Sequence, residues 1–145
     1  MSNLLETKAL EEHVKSAYDK VIPLMLKDGI RVPLNTIFRE NIPSDNQGEF
    51  CFTDESGYRF RVLDRGILYH DDITQSLSEI TYWAIKGEVD EASAIYEAKN
   101  RIANQDFRRI MFNKRLQYFE SIDPEFTQRS RKEIEIILNK APFQD

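Results

Sequence analysis

Cysteine is almost absent from this chain: Cys51 stands alone among 145 residues, so no internal disulfide can form and a reducing, cytoplasmic compartment is expected. Histidine, the usual carrier of general acid–base chemistry, occurs only at His13 and His70. Five scattered glycines leave no room for a Gly-rich phosphate loop, and GxSxG, CxxC and HExxH are missing as well. No apolar run approaches the roughly 18 residues that would span a bilayer. The opening Met1-Ser2-Asn3-Leu4-Leu5-Glu6 has no basic region and no small-residue cleavage site, so no signal peptide and no membrane partner are expected.

What is present fits a globular protein. Hydrophobic residues make up 41 % and charged residues 31 % of the chain, and the length suits one domain with a core of its own. The net charge of −5 is concentrated. Residues 44–97 hold twelve acids against four bases, whereas residues 98–145 hold ten bases and seven acids. This distribution lacks the basic footprint of a nucleic-acid binder and suits a basic partner, whose approach opposite charge accelerates.

The hydrophobic pattern changes period along the chain. Leu10, Val14, Ala17, Tyr18, Val21, Ile22 and Met25 form one helical stripe, predicting a helix over residues 3–26 with Ser2 or Asn3 as cap, Pro23 near its end and Gly29 as a stop. Residues 30–47, with Pro33 and Pro43, read as a long connection holding one short element at 36–42. From residue 49 to 71 the period is two. Phe50 and Phe52, then Tyr58, Phe60 and Val62, then residues 67–70, predict a three-stranded antiparallel meander with turns at Asp54-Glu55-Ser56-Gly57 and Asp64-Arg65-Gly66. Phe50, Phe52, Phe60 and Val62 are expected to face a helical layer, with Trp83 as its buried anchor.

About four helices are expected after the sheet. The first is capped by Asp72 or Thr74 and stopped by Gly87, the second runs from Asp90 and Glu91 to about 103, and Asp106 opens the third. Asp123-Pro124-Glu125 starts the fourth. The fold class is therefore α+β: an N-terminal helix, a three-stranded meander, and helices on one sheet face.

Few side chains suggest catalysis. His70 with Asp71 and Asp72 could bind a divalent metal or orient a general base, the basis of an alternative reading as a small metal-dependent hydrolase. A strand end running into a helix start accounts for the same residues, and no metal or other cofactor is expected. Cys51 between two phenylalanines reads as a small sheet residue rather than a nucleophile. Arg101 with Glu97, and Arg108 and Arg109 with Asp106, read as helix ion pairs.

The C-terminal half carries a resemblance. Tyr82-Trp83 preceded by an acid and a leucine, the run Tyr96-Glu97-Ala98-Lys99-Asn100-Arg101, the run Asp106-Phe107-Arg108-Arg109 and the tail Pro142-Phe143 occur in that order. Over residues 72–145 the chain resembles the bacterial immunity protein 63 family. That resemblance implies a single immunity-protein domain over 1–145, a cytoplasmic, non-catalytic antidote encoded beside a polymorphic or contact-dependent toxin. It would act by direct contact with the C-terminal domain of that toxin, a nuclease being the expected kind, and would be a monomer or weak homodimer when free. A non-catalytic adaptor in a larger complex is the remaining alternative. The acids expected to stay exposed at turns and helix starts, and so to meet a basic toxin, are Asp54, Glu55, Asp71, Asp72, Glu88, Asp90 and Glu91.

Overall fold

A computed structural model describes residues 3–43 and 45–145, so the expected cap Ser2, and Ser44 of the connection over 30–47, lie outside the described residues. The order of elements is α1 (Thr7–Asp19), α2 (Ile22–Lys27), β1 (Ile37–Phe38), β2 (Gly48–Asp54), β3 (Gly57–Asp64), β4 (Ile67–Thr74), α3 (Leu77–Lys99), α4 (Phe107–Ile122) and α5 (Pro124–Lys140). They form two compact units. One comprises the chain up to Ala17 with Leu34–Gly87, the other Tyr18–Pro33 with Glu88–Asp145.

The first unit is built on a four-stranded sheet ordered β1-β2-β3-β4, not on three strands. The additional strand is the two-residue β1, which pairs parallel to β2 through Ile37 opposite Phe50 and is too short to leave a periodic signal in the sequence. β2, β3 and β4 form the expected antiparallel meander. Asp54 closes its first turn by accepting from the Ser56 and Gly57 amides at 2.8 and 3.2 Å. Gly57 has φ +146°, and a Cβ there would lie 2.9 Å from the Thr74 carbonyl oxygen, so glycine is required.

Register corrects the expected buried face. Phe52 lies opposite Arg59 and Phe50 opposite Arg61, whereas Phe60 lies opposite Cys51 and Val62 opposite Glu49. Directly opposed residues share a face, so Phe50 and Phe52 lie on one side of the sheet and Phe60 and Val62 on the other. Both sides are covered along β2, since Phe50 and Cys51 are fully buried. The face of Phe60 and Glu49 receives the first half of α3. There the rings of Phe60 and Trp83 lie 6.5 Å apart, and Glu49 reaches to within 3.3 Å of where a Gly87 side chain would begin. Trp83 is only half-buried, and its neighbours Tyr82, Ala84 and Ile85 fill the core instead. Leu10 and Val14 of α1 and Ile80 of α3 are also fully buried.

The expected helix over 3–26 divides into α1 and α2. Pro23 sits in the first turn of α2, where its missing N–H costs nothing, and the chain turns between the two helices through Val21 N donating to Tyr18 O at 3.1 Å. Gly29, at φ +74°, ends α2 as expected. Three helices follow the sheet, not four, because Gly87 does not stop the first. A Cβ at Gly87 would lie 3.3 Å from the Glu49 carboxylate, a tight contact that a small shift of that side chain relieves. The start of α3 is set by Ser76, whose hydroxyl accepts from the Glu79 amide at 3.1 Å.

In the second unit, Asp106 and Asp123 cap α4 and α5 as expected, accepting from the Arg108 and Glu125 amides at 3.0 and 2.9 Å. The α4–α5 pair closes on Phe119 and Phe126, edge to face at 6.4 Å. Tyr18, Met25, Val89, Tyr118 and Ile122 complete a buried set.

Candidate docking site

Strand alternation decides what the central acids can do. Asp71 and Asp72 do not precede a helix: β4 continues to Thr74, and the two carboxylates leave it on opposite faces. Asp71 lies opposite Arg61 and accepts from Arg59 Nη2 at 2.8 Å and Arg61 Nε at 2.9 Å. Arg59 Nη1 also donates to Asp54 at 2.9 Å, and both guanidinium groups lie over the Phe52 ring, at 6.0 and 5.1 Å from its centre. Partial burial works against the charge of Asp71, but the hydrogen bonds from Arg61 and Arg59 prevail and hold its carboxyl below the usual range.

On the other face, His70 Nδ1 stands 3.6 Å from Asp72 Oδ2, with both side chains more than half exposed. The His70-Asp71-Asp72 constellation is therefore split, because alternation sends Asp71 away from its neighbours. Among the described residues no group of three or more histidine, cysteine or acidic side chains is placed to hold a metal ion. Cys51 is fully buried on β2.

Glu55 is exposed at the tip of the β2–β3 turn. Beside it an open groove of about 720 Å³ runs between the start of α1 and the segment after β1, lined in part by Glu6, Lys8, Glu11, Arg39, Glu40 and Asp54. Thr7 bridges its walls, donating to Glu40 at 2.8 Å and accepting from the Thr53 amide at 3.1 Å.

The remaining three acids belong to the second unit and sit inside α3 rather than at a helix start, since the helix runs through Gly87. Glu88 is 4 % exposed and so unavailable to a partner at the surface. Asp90 pairs with Arg115 at 2.9 Å, and Arg115 also reaches Glu133 at 3.2 Å. Glu91 is exposed. The acids open to solvent are thus Glu55, Asp71 and Asp72 in one unit and Glu91 in the other, with Asp54 and Asp90 partly covered.

Several bases of the C-terminal half are engaged by acids, although Arg101 and Arg109 stay exposed. Arg101 grips Glu97 through two hydrogen bonds of 3.0 and 2.7 Å, and Arg108 binds Asp106 at 2.8 Å. Arg109 departs from expectation by pairing with Asp145 at 2.7 Å and lying 4.0 Å from the centre of the Phe143 ring. Sequence spacing did not reveal a further cluster in which buried Lys114 meets Asp28 at 2.7 Å, the Tyr118 hydroxyl donates to the same carboxylate at 3.0 Å, and Tyr96 lies against the ammonium group. Asp28 and Lys114 are too distant in sequence to be paired by any local pattern.

No helix is long and apolar enough to cross a membrane among the described residues. No curated protein and no solved structure matches the chain. Residues 54–136 match immunity protein 63, a span that opens at the β2–β3 turn, takes in β3, β4, α3 and α4, and ends within α5, before the Pro142-Phe143 tail. The match covers more than half of the sequence, and the chain belongs to the immunity protein 63 family.

Proposed function

We propose that this protein neutralises a cognate bacterial toxin domain in the cytoplasm by direct, non-catalytic contact. Family membership carries the reading. An antidote needs no reacting group; it needs a firm surface of about 800 Å² per partner with matched charge. The acids Glu55 and Asp72 supply negative charge along the turn and outer strand of a sheet, while Asp71 beside them is balanced by Arg59 and Arg61 and Asp54 steadies the turn. Glu91 adds a separate exposed acid on α3. Such a surface suits a toxin with a basic active site, as a nuclease has, because opposite potentials speed encounter and compete with the nucleic acid.

Co-expression with the toxic C-terminal region of the protein encoded immediately upstream tests the proposal. Cells should survive with this chain present and die without it. Equal killing in both cases would sink the reading, and a stable complex without rescue would favour an adaptor.

A further inference from the structure

The outer edge of β4 is an unfinished sheet. β1, the opposite edge, is two residues long and so offers little to a stray strand. β4 is eight residues long, contains neither lysine nor proline, and leaves Ile67, Leu68, Tyr69 and Ile73 between 47 % and 59 % exposed. Its only irregularity is a register shift near its start, where Leu63 faces Leu68 while Val62 faces His70. Tyr69 is the extra residue of that shift, and from His70 to Thr74 the strand alternates regularly, with no strand beside its outer backbone groups among the described residues. An open edge of this length, without lysine or proline, templates strand addition.

We propose that a second copy of this chain occupies the edge, β4 pairing antiparallel with its counterpart about a two-fold axis through Asp71, so that two four-stranded sheets become one. The side-chain order of β4 is self-complementary in this register. Ile73 lies on one face, opposite the irregular segment around Tyr69 of the other copy. His70 faces Asp72 twice on the other, extending the 3.6 Å pair already present within the strand into a ladder of alternating groups. Asp71 meets its own copy, an arrangement that free carboxylates would oppose. Here Arg59 and Arg61 already hold that carboxylate at 2.8 and 2.9 Å, and with Asp54 the four groups balance in charge. Sliding the register by two residues would instead set Asp72 against Asp72, with no guanidinium bound to either. The interface is isologous, as a closed dimer requires. The inference stands on the edge alone and does not depend on toxin neutralisation.

Sedimentation equilibrium of the purified full chain provides the test. A reversible dimer should form with rising protein concentration. Ile73→Lys, at a half-exposed site, should raise the dissociation constant by at least about tenfold by placing an ammonium group on the paired edge, with the unfolding midpoint as a control. Asp71→Cys should yield a disulfide-linked dimer on mild oxidation, since directly opposed Cα atoms lie within disulfide range, and Glu55→Cys should not. A chain that stays monomeric throughout, open-ended oligomers, or a dimer indifferent to Ile73→Lys and not linked through Asp71→Cys would each overturn the proposal.

Discussion

Single residues show where local chemistry settles structure. Gly57 combines φ +146° with a Thr74 carbonyl 2.9 Å from any Cβ, so Gly57→Ala meets both an unfavourable backbone region and a clash. It should lower stability by about 1–3 kcal/mol in urea unfolding. An unchanged midpoint would mean that the turn relaxes freely. Asp106 illustrates a charge effect. Hydrogen bonds from the Arg108 side chain, then from the Gln144 and Arg108 amides, hold its carboxyl well below the ordinary range. In the unfolded chain the group takes up its proton near pH 4, before the folded form does. Its stabilising contribution is therefore complete above that pH and declines as the pH falls further. Asp106→Asn should weaken the protein at neutral pH and flatten the acid limb of a stability–pH curve. A limb as steep as that of the parent would place the acid sensitivity elsewhere, with Asp71 the next carboxyl to examine.

At the scale of elements, sequence pattern was informative where signals were local and failed where they were not. Asp106 and Asp123-Pro124 announced α4 and α5, and the spacing of Glu97 and Arg101 announced their ion pair, because each signal lies within one helical turn. Asp71 and Asp72 resemble helix-start acids yet lie within β4, so they misplace the boundary between the sheet and α3. Ser76 and Glu79, three apart before an apolar run, were the better marker. Gly87 looks like a helix stop, but glycine alone does not show whether a helix ends there, and α3 continues through it to Lys99. The phase of the sheet was lost for a similar reason. Aromatics occupy both faces, so alternation alone could not tell which face of β2 matched which of β3. This correction changes what Trp83 is worth. Being half-buried, it should cost about 1–3 kcal/mol when changed to alanine, less than the 3–5 kcal/mol of a fully enclosed aromatic. A loss at the upper figure would show that the Phe60 contact carries more of the packing than exposure suggests.

For the whole molecule, the family could be read from the sequence, while the candidate docking acids could be read only in part. A charge excess in residues 44–97 marks a region but does not say which carboxylates are already engaged. Structure separates them: Asp54 is tied to Arg59 and its own turn, Asp71 is held by Arg59 and Arg61, Glu88 is buried, and Asp90 is paired with Arg115. Glu55, Asp72 and Glu91 remain exposed. Reversing these three to lysine changes the charge by six units without removing a core group, so it should slow toxin association strongly at low salt and reduce its dependence on ionic strength. Dissociation should change much less, because exposed charges act mainly on encounter. Stopped-flow association at two ionic strengths is the appropriate measurement, with the unfolding midpoint as a control. Glu88→Lys offers the contrast. It forces a cation into a site only 4 % exposed and should show its effect in stability rather than in association rate. If the triple reversal left low-salt association unchanged, electrostatic steering by these acids would be excluded, and an apolar or basic surface would have to carry recognition.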